Sequence, residues 1–133
     1  MSQENVEVVR RGFEAFAQGG PEAMVDFWDP AIELWLPSGL IQASGTYRGH
    51  AEVLDWMREW AEAWEEIHYT PEEFTEAGDM VLVSVLYDGR GKGSGVRIEG
   101  RFWYLFKLRN GKLLSWRLYP ESGQALEAAG LRE

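Results

Sequence analysis

Between residues 4 and 18 apolar side chains return every three or four positions, at Val6, Val9, Phe13, Phe16 and Ala17, with Glu7, Arg10, Arg11 and Glu14 between them. That periodicity predicts an amphipathic helix with one face for a core. Gly19-Gly20-Pro21 stops it and starts a second, short helix, because proline suits a first helical turn; Met24, Phe27 and Trp28 form its apolar side. Asp29-Pro30 then breaks the chain. Residues 32–36 read as a strand, ended by Pro37-Ser38-Gly39, and after a loop Thr46-Tyr47-Arg48-Gly49 leads into the longest predicted helix, 50–66. Its stripe is Val53, Leu54, Met57, Trp60, Ala61 and Trp64.

The second half predicts strands and turns. A bent strand over 67–77 is interrupted near Pro71, stronger strands cover 79–88 and 96–109, and 112–119 completes the set before a short helix at 122–129. Asn110-Gly111 is the clearest hairpin signal, since both central positions of a type I′ turn need positive φ. The glycine-rich segment 88–95 reads as a mobile hairpin tip. Two helices, a strand, a helix and then four successive strands make an α+β fold, with helices on one face of a mainly antiparallel sheet. The strands at 79–88 and 96–109 are apolar on both faces: Val81, Val83 and Val85 alternate with Leu82 and Leu86, and Phe102, Tyr104 and Phe106 with Trp103 and Leu105. One face is therefore expected against the helices and the other against a second subunit.

Composition narrows the function classes. At 133 residues the chain is expected to form a single domain, 1–133. Lys and Arg number 13 against 22 Asp and Glu, a net charge of −9, which disfavours nucleic acid and membrane surfaces as partners. There is no cysteine, and Met1-Ser2-Gln3-Glu4 lacks a signal-peptide pattern, so a cytoplasmic location is expected. The only two histidines, His50 and His68, have no metal-ligand spacing, and no metal or organic cofactor is expected. Gly89-Arg90-Gly91-Lys92-Gly93 lacks the spacing and following helix of a phosphate loop. Aromatic residues make up 14 % of the chain, including seven Trp, more ring surface than such a core needs, and part of it is expected to line a pocket or an interface.

Val8-Val9-Arg10-Arg11-Gly12-Phe13, Phe27-Trp28-Asp29-Pro30, Tyr47-Arg48-Gly49, Gly78-Asp79 and the segment from Asn110-Gly111-Lys112 to Ser115-Trp116-Arg117 occur in an order and spacing similar to the nuclear-transport-factor-2-like superfamily, in particular its SnoaL-like and ketosteroid-isomerase-like members. The resemblance implies a cone: a curved sheet wrapped around a long helix, an apolar cavity inside, and dimers packed sheet on sheet. It does not fix the chemistry, because such folds serve isomerases, cyclases, epoxide hydrolases, dehydratases and non-catalytic binding proteins.

Strand alternation and this resemblance place Leu34, Leu36, Val83, Val85, Phe102, Tyr104, Phe106, Trp116 and Leu118 toward the cavity, with Phe13, Phe16, Phe27, Trp28, Met57 and Trp60 from the helices. The position of the isomerases' general base is occupied by Leu36, that of their first-helix tyrosine by Gly12, and that of their oxyanion acid by Tyr104. The epoxide-hydrolase arginine and carboxylates would fall on Phe102, Tyr104 and Leu118. Neither set can carry its chemistry here. A one-residue slip would bring Arg101 or Arg117 inward instead. Tyr104 is the polar tip expected in the cavity, either donating a hydrogen bond to a ligand or packing as a core residue. His50 and Asp29 are candidate bases at the rim, or a helix-start histidine and a turn aspartate. Trp56, Trp60 and Trp64 form either a stacking wall or a helix face packed on the sheet. The expected function is binding of a small apolar or aromatic molecule, by an isomerase, cyclase or dehydratase, or by a non-catalytic binding or dimerisation module.

Overall fold

The computed structural model describes residues 2–37 and 45–131; the strand stop expected at Ser38-Gly39 lies outside them. Helix α1 spans Ser2–Gly19 and α2 spans Pro21–Met24, followed by a 3-10 turn at Val25–Phe27. Strand β1 is Trp28–Leu36, β2 is Gly45–Arg48, and α3 is Gly49–Glu62. Then come β3 (Trp64–Ala77), β4 (Met80–Gly91), β5 (Arg97–Arg109), β6 (Lys112–Tyr119) and α4 (Ser122–Ala128). The strands form one sheet in the order β2-β1-β6-β5-β4-β3. Neighbours are antiparallel except β1 and β6, which run parallel. The fold is thus α+β with an open, mixed sheet. Asn110 (φ 52°) and Gly111 (φ 75°) turn β5 into β6 with the positive dihedrals a tight hairpin requires.

Several boundaries differ from the expectation. The longest helix is α1, with 18 residues; α3 has 14 and ends before Trp64, which pairs with Gly91 in the sheet. A four-residue Trp spacing cannot show where helix gives way to strand when neither Gly nor Pro marks the point. Strand β1 begins at Trp28 and absorbs Asp29-Pro30. Its ladder with β6 lapses between Trp28 and Glu33, so Pro30, which has no N–H to donate, removes no sheet hydrogen bond there. Asp29 Oδ1 accepts the Ala31 N–H at 2.8 Å inside the lapse. Strand β2, too short for any periodicity, exists because residues Glu33 to Leu36 of β1 pair with it.

Strand β3 shifts register at Trp64/Glu66 and at Pro71/Glu73, and such bulges bend a sheet. At the second shift the Glu73 N–H donates to Ser84 Oγ at 3.2 Å, which partners a buried hydroxyl. The shift also moves the inward alternation from Tyr69 to Phe74, whose ring meets Phe13 edge-on at 6.2 Å. Helices α1 and α3 cover the inner face, where Ile32, Leu34, Leu36, Val53, Val81, Val83 and Val85 are fully buried.

The register Val83↔Tyr104↔Leu118 sets these residues on that same face. Arg101 and Arg117 therefore point outward: Arg101 binds Glu72 at 2.6 Å, and Arg117 lies over the Trp35 ring at 5.9 Å. On the outer face α4 packs Ala125 against Leu82, Leu105 and Tyr119, so part of the surface expected to meet a second subunit is covered from within. Trp35 and Trp103 stay half-buried beside it. Among the described residues no helix is long and apolar enough to cross a membrane.

Candidate functional site

Between α1, α3 and the inner face of the sheet lies a pocket of about 80 Å³. Helix α1 contributes Val9, Gly12, Phe13 and Phe16, the i, i+3, i+4, i+7 stripe of its apolar face. Helix α3 contributes Trp56, Met57, Trp60 and Ala61. Ile67 and Tyr69 of β3, Phe102, Tyr104 and Phe106 of β5, and Leu113, Trp116 and Leu118 of β6 close the other side, with Met24 from α2. Val9, Gly12, Met24, Trp56, Met57, Tyr104, Phe106 and the three β6 residues are buried, whereas Phe13, Phe16, Trp60, Ala61, Ile67, Tyr69 and Phe102 keep solvent contact on the side of the mouth.

The aromatic rings are arranged by contacts with one another. Tyr104 stacks with Phe13 at 6.1 Å between centroids and meets Phe106 and Trp116 edge-on at 6.0 and 5.6 Å. Trp56 and Trp60 stack at 5.6 Å on successive turns of α3. Phe102 is backed by the Tyr87 ring, stacked at 4.9 Å, and Tyr87 can lie there only because Gly100 beneath it has no side chain: a Cβ at that position would fall 2.6 Å from the Tyr87 hydroxyl oxygen.

Polar groups in the pocket are few. Trp60 Nε1 donates to the Tyr69 hydroxyl at 2.7 Å, tying α3 to β3 across the mouth. The Tyr104 hydroxyl has no hydrogen-bond partner among the described residues. Neither does the buried N–H of Trp116. Burial pushes the Tyr69 phenol up to about 12 and raises Tyr104 well above its ordinary value, with Tyr69 as a second cause for Tyr104. Both phenols are therefore neutral at physiological pH, able to donate or accept a hydrogen bond but not to act as anionic bases.

Of the residues expected in the cavity, Phe13, Phe16, Met57, Trp60, Phe102, Tyr104, Phe106, Trp116 and Leu118 line the pocket. Trp28, Leu34, Leu36, Val83 and Val85 do not. They face the same interior but are consumed in close packing against the helices, at 2 % exposure or less. Phe27 sits in the 3-10 turn and is likewise not part of the lining. Nor are the two candidate bases. His50 Nε2 lies 3.3 and 3.2 Å from the carbonyl oxygens of Trp28 and Asp29, an arrangement that fixes the start of α3 to β1. Asp29 accepts from the Ala31 N–H and from two nitrogens of Arg109, at 3.3 and 3.1 Å, and these contacts hold its carboxyl below the usual range.

Val9, Met24, Ala61, Ile67, Tyr69 and Leu113 complete the pocket without having been expected there, and Gly12 lines it at the position matched to the isomerases' first-helix tyrosine. The two β3 residues alternate correctly with exposed His68, but Pro71 obscures the strand that carries them. Trp64 leaves the Trp56 and Trp60 series at the end of α3 and meets Trp60 at 5.5 Å from β3. Among the described residues no cluster of His, Asp and Glu could hold a metal ion.

A family model for the SnoaL-like domain matches residues 9–116, most of the chain and nearly all of the pocket. The protein belongs to the SnoaL-like family. Among solved structures, this SnoaL-like chain is similar to a nuclear-transport-factor-2-like protein from Burkholderia xenovorans LB400, with 32 % identity, TM-score 0.78 and 97 % coverage of both chains. It also resembles TerC, co-crystallised with polyporic acid, at 21 % identity and TM-score 0.79, covering 96 % of this chain and 98 % of that one. A candidate SnoaL-like polyketide cyclase from Jannaschia sp. CCS1 shares the fold at 20 % identity and TM-score 0.78, with 99 % and 95 % coverage. No curated protein matches the sequence.

Proposed function

We propose that this SnoaL-like protein binds a small, mainly apolar molecule carrying one hydrogen-bond acceptor, with the acceptor on the Tyr104 hydroxyl. The observation that carries the reading is a free phenol set in an otherwise aromatic and aliphatic wall. Apolar burial supplies affinity in such a pocket, and one polar group supplies orientation. The co-crystallisation of TerC with polyporic acid supports the idea that this fold houses organic ligands.

Size limits the class. A cavity of about 150 Å³ takes benzene, and this one measures about 80 Å³. A single ring can enter edge-first and extend into the mouth, whereas steroid and fused polyketide ketones require the lining to move. Binding is favoured over an isomerase, cyclase or dehydratase role because proton abstraction needs a base in hydrogen-bond reach of the ligand. Among the described residues the lining holds neutral phenols and indoles but no carboxylate, imidazole or amine.

The test is calorimetric titration of wild type and Tyr104→Phe with acetophenone and ethylbenzene. The expected loss is about 0.5–1.5 kcal/mol for the ketone, roughly 2- to 13-fold in Kd, with ethylbenzene unchanged. No binding of either compound to wild type, or an equal loss for both, overturns the proposal.

A further inference from the structure

Gly12 occupies the middle of α1, one turn after fully buried Val9, and lines the pocket. Glycine is a poor residue for a helix interior: it fixes the most backbone entropy and contributes no packing. Such a residue is usually explained by a close neighbour or by an unusual dihedral. Neither applies. Gly12 has no positive φ, and a Cβ built on it meets no heavy atom within 4 Å. The position is nevertheless buried, so the empty space around that missing Cβ is interior rather than solvent. The contrast within the chain is direct, since a Cβ at Gly100 would strike Tyr87 and one at Gly19 would come within 2.8 Å of Ala23.

Close-packed interiors rarely leave room for a methyl group unfilled. Here alanine would fit, strengthen the helix and reduce the void. We infer that Gly12 sets the size of ligand this protein accepts: the space beside it is the deep end of the pocket and receives the ligand's apolar edge while Tyr104 holds the acceptor. This rests on the binding reading above and adds a ligand class to it, compact single-ring compounds whose substituent-free edge can pass between α1 and β5. Phe13, the next residue, stacks with Tyr104 and flanks the void. A side chain grown from position 12 would therefore take the same space as the ligand ring.

The experiment compares wild type, Gly12→Ala and Gly12→Leu by thermal melting, by acetophenone titration, and by xenon binding followed with 129Xe NMR. Gly12→Ala is expected to raise Tm by about 3–6 °C through helix propensity alone. Acetophenone affinity is expected to weaken through the series, by at least about tenfold in Gly12→Leu, with the xenon site lost in that variant. A Tm that falls in Gly12→Ala, or acetophenone binding equally tight in all three proteins, overturns the inference. Because Gly12→Ala adds a single methyl, it keeps the test decisive should Gly12→Leu fail to fold. A wild type that takes xenon but no acetophenone refutes the binding reading and leaves the void at Gly12 standing. A wild type with no xenon site refutes the void itself.

Discussion

Among the described residues the Trp60–Tyr69 hydrogen bond is the one polar tie across the pocket mouth, and Tyr69→Phe tests how much it holds. The substitution keeps the ring, which packs edge-on to Phe16 at 5.7 Å, and removes only the oxygen that accepts the Trp60 N–H at 2.7 Å. A neutral hydrogen bond contributes about 0.5–1.5 kcal/mol net, and a stranded buried donor raises the cost to about 1–3 kcal/mol. Trp60 keeps some solvent contact, so water can take over part of its N–H, which brings the expectation to about 1–2 kcal/mol. For a chain of this size that is a Tm lower by about 3–8 °C.

Denaturant melts of wild type, Tyr69→Phe, Trp60→Phe and the double variant give the coupling directly. The expected value is about 1 kcal/mol, within the range for residues in contact. The proton on Tyr69 reports the burial of the phenol, which raises its pKa against the lowering effect of the Trp60 N–H. Its pKa, raised to about 12, means the folded state holds that proton more tightly than the unfolded chain, whose phenol titrates near 10. The stabilisation is complete below pH 10 and is lost as pH rises from about 10 to about 12. Tyr69→Phe should remove that part of the alkaline decline. Zero coupling would refute the latch, and an unchanged alkaline limb would refute the burial of the Tyr69 phenol.

Two further expectations concern the rest of the molecule. The Asp29 carboxyl is held below its ordinary range by the Ala31 N–H and by Arg109, so its contribution is present above the usual carboxylate pKa and fades as pH falls through and below about 4; Asp29→Asn should flatten the acid limb of a Tm-against-pH curve, and a parallel limb would show that the cluster is idle. For assembly we propose self-association through the outer sheet face that α4 leaves open, around Trp35 and Trp103. Sedimentation velocity at about 10 μM should then show a dimer that Trp103→Glu dissociates, and a wild-type monomer would count against it.

What could be read from the sequence divides along physical lines. In residues 79–88 and 96–109 the long runs of β-branched and aromatic residues mark strands, and because successive side chains point to opposite faces, Val83, Tyr104 and Leu118 share one face. Alternation says which way a side chain points but not what it finds there. Val83 and Val85 point inward like Tyr104 and Phe106 yet are sealed by helix side chains, while the aromatic pair borders the pocket. The same limit applies to Asp29 and His50, whose chemistry suits a base but whose partners are backbone groups and Arg109, joined to Asp29 only once β1 and the end of β5 come together. Gly12 is the reverse case. In a one-dimensional pattern a glycine inside an amphipathic helix is merely a weak position, and only the room left where its Cβ would stand, with no atom of another element within 4 Å, makes it informative. Residues that fill space are therefore legible from periodicity. Gly12, a lining residue that leaves space open, becomes visible only when the packing around it is known, and there the helix gives up propensity for volume.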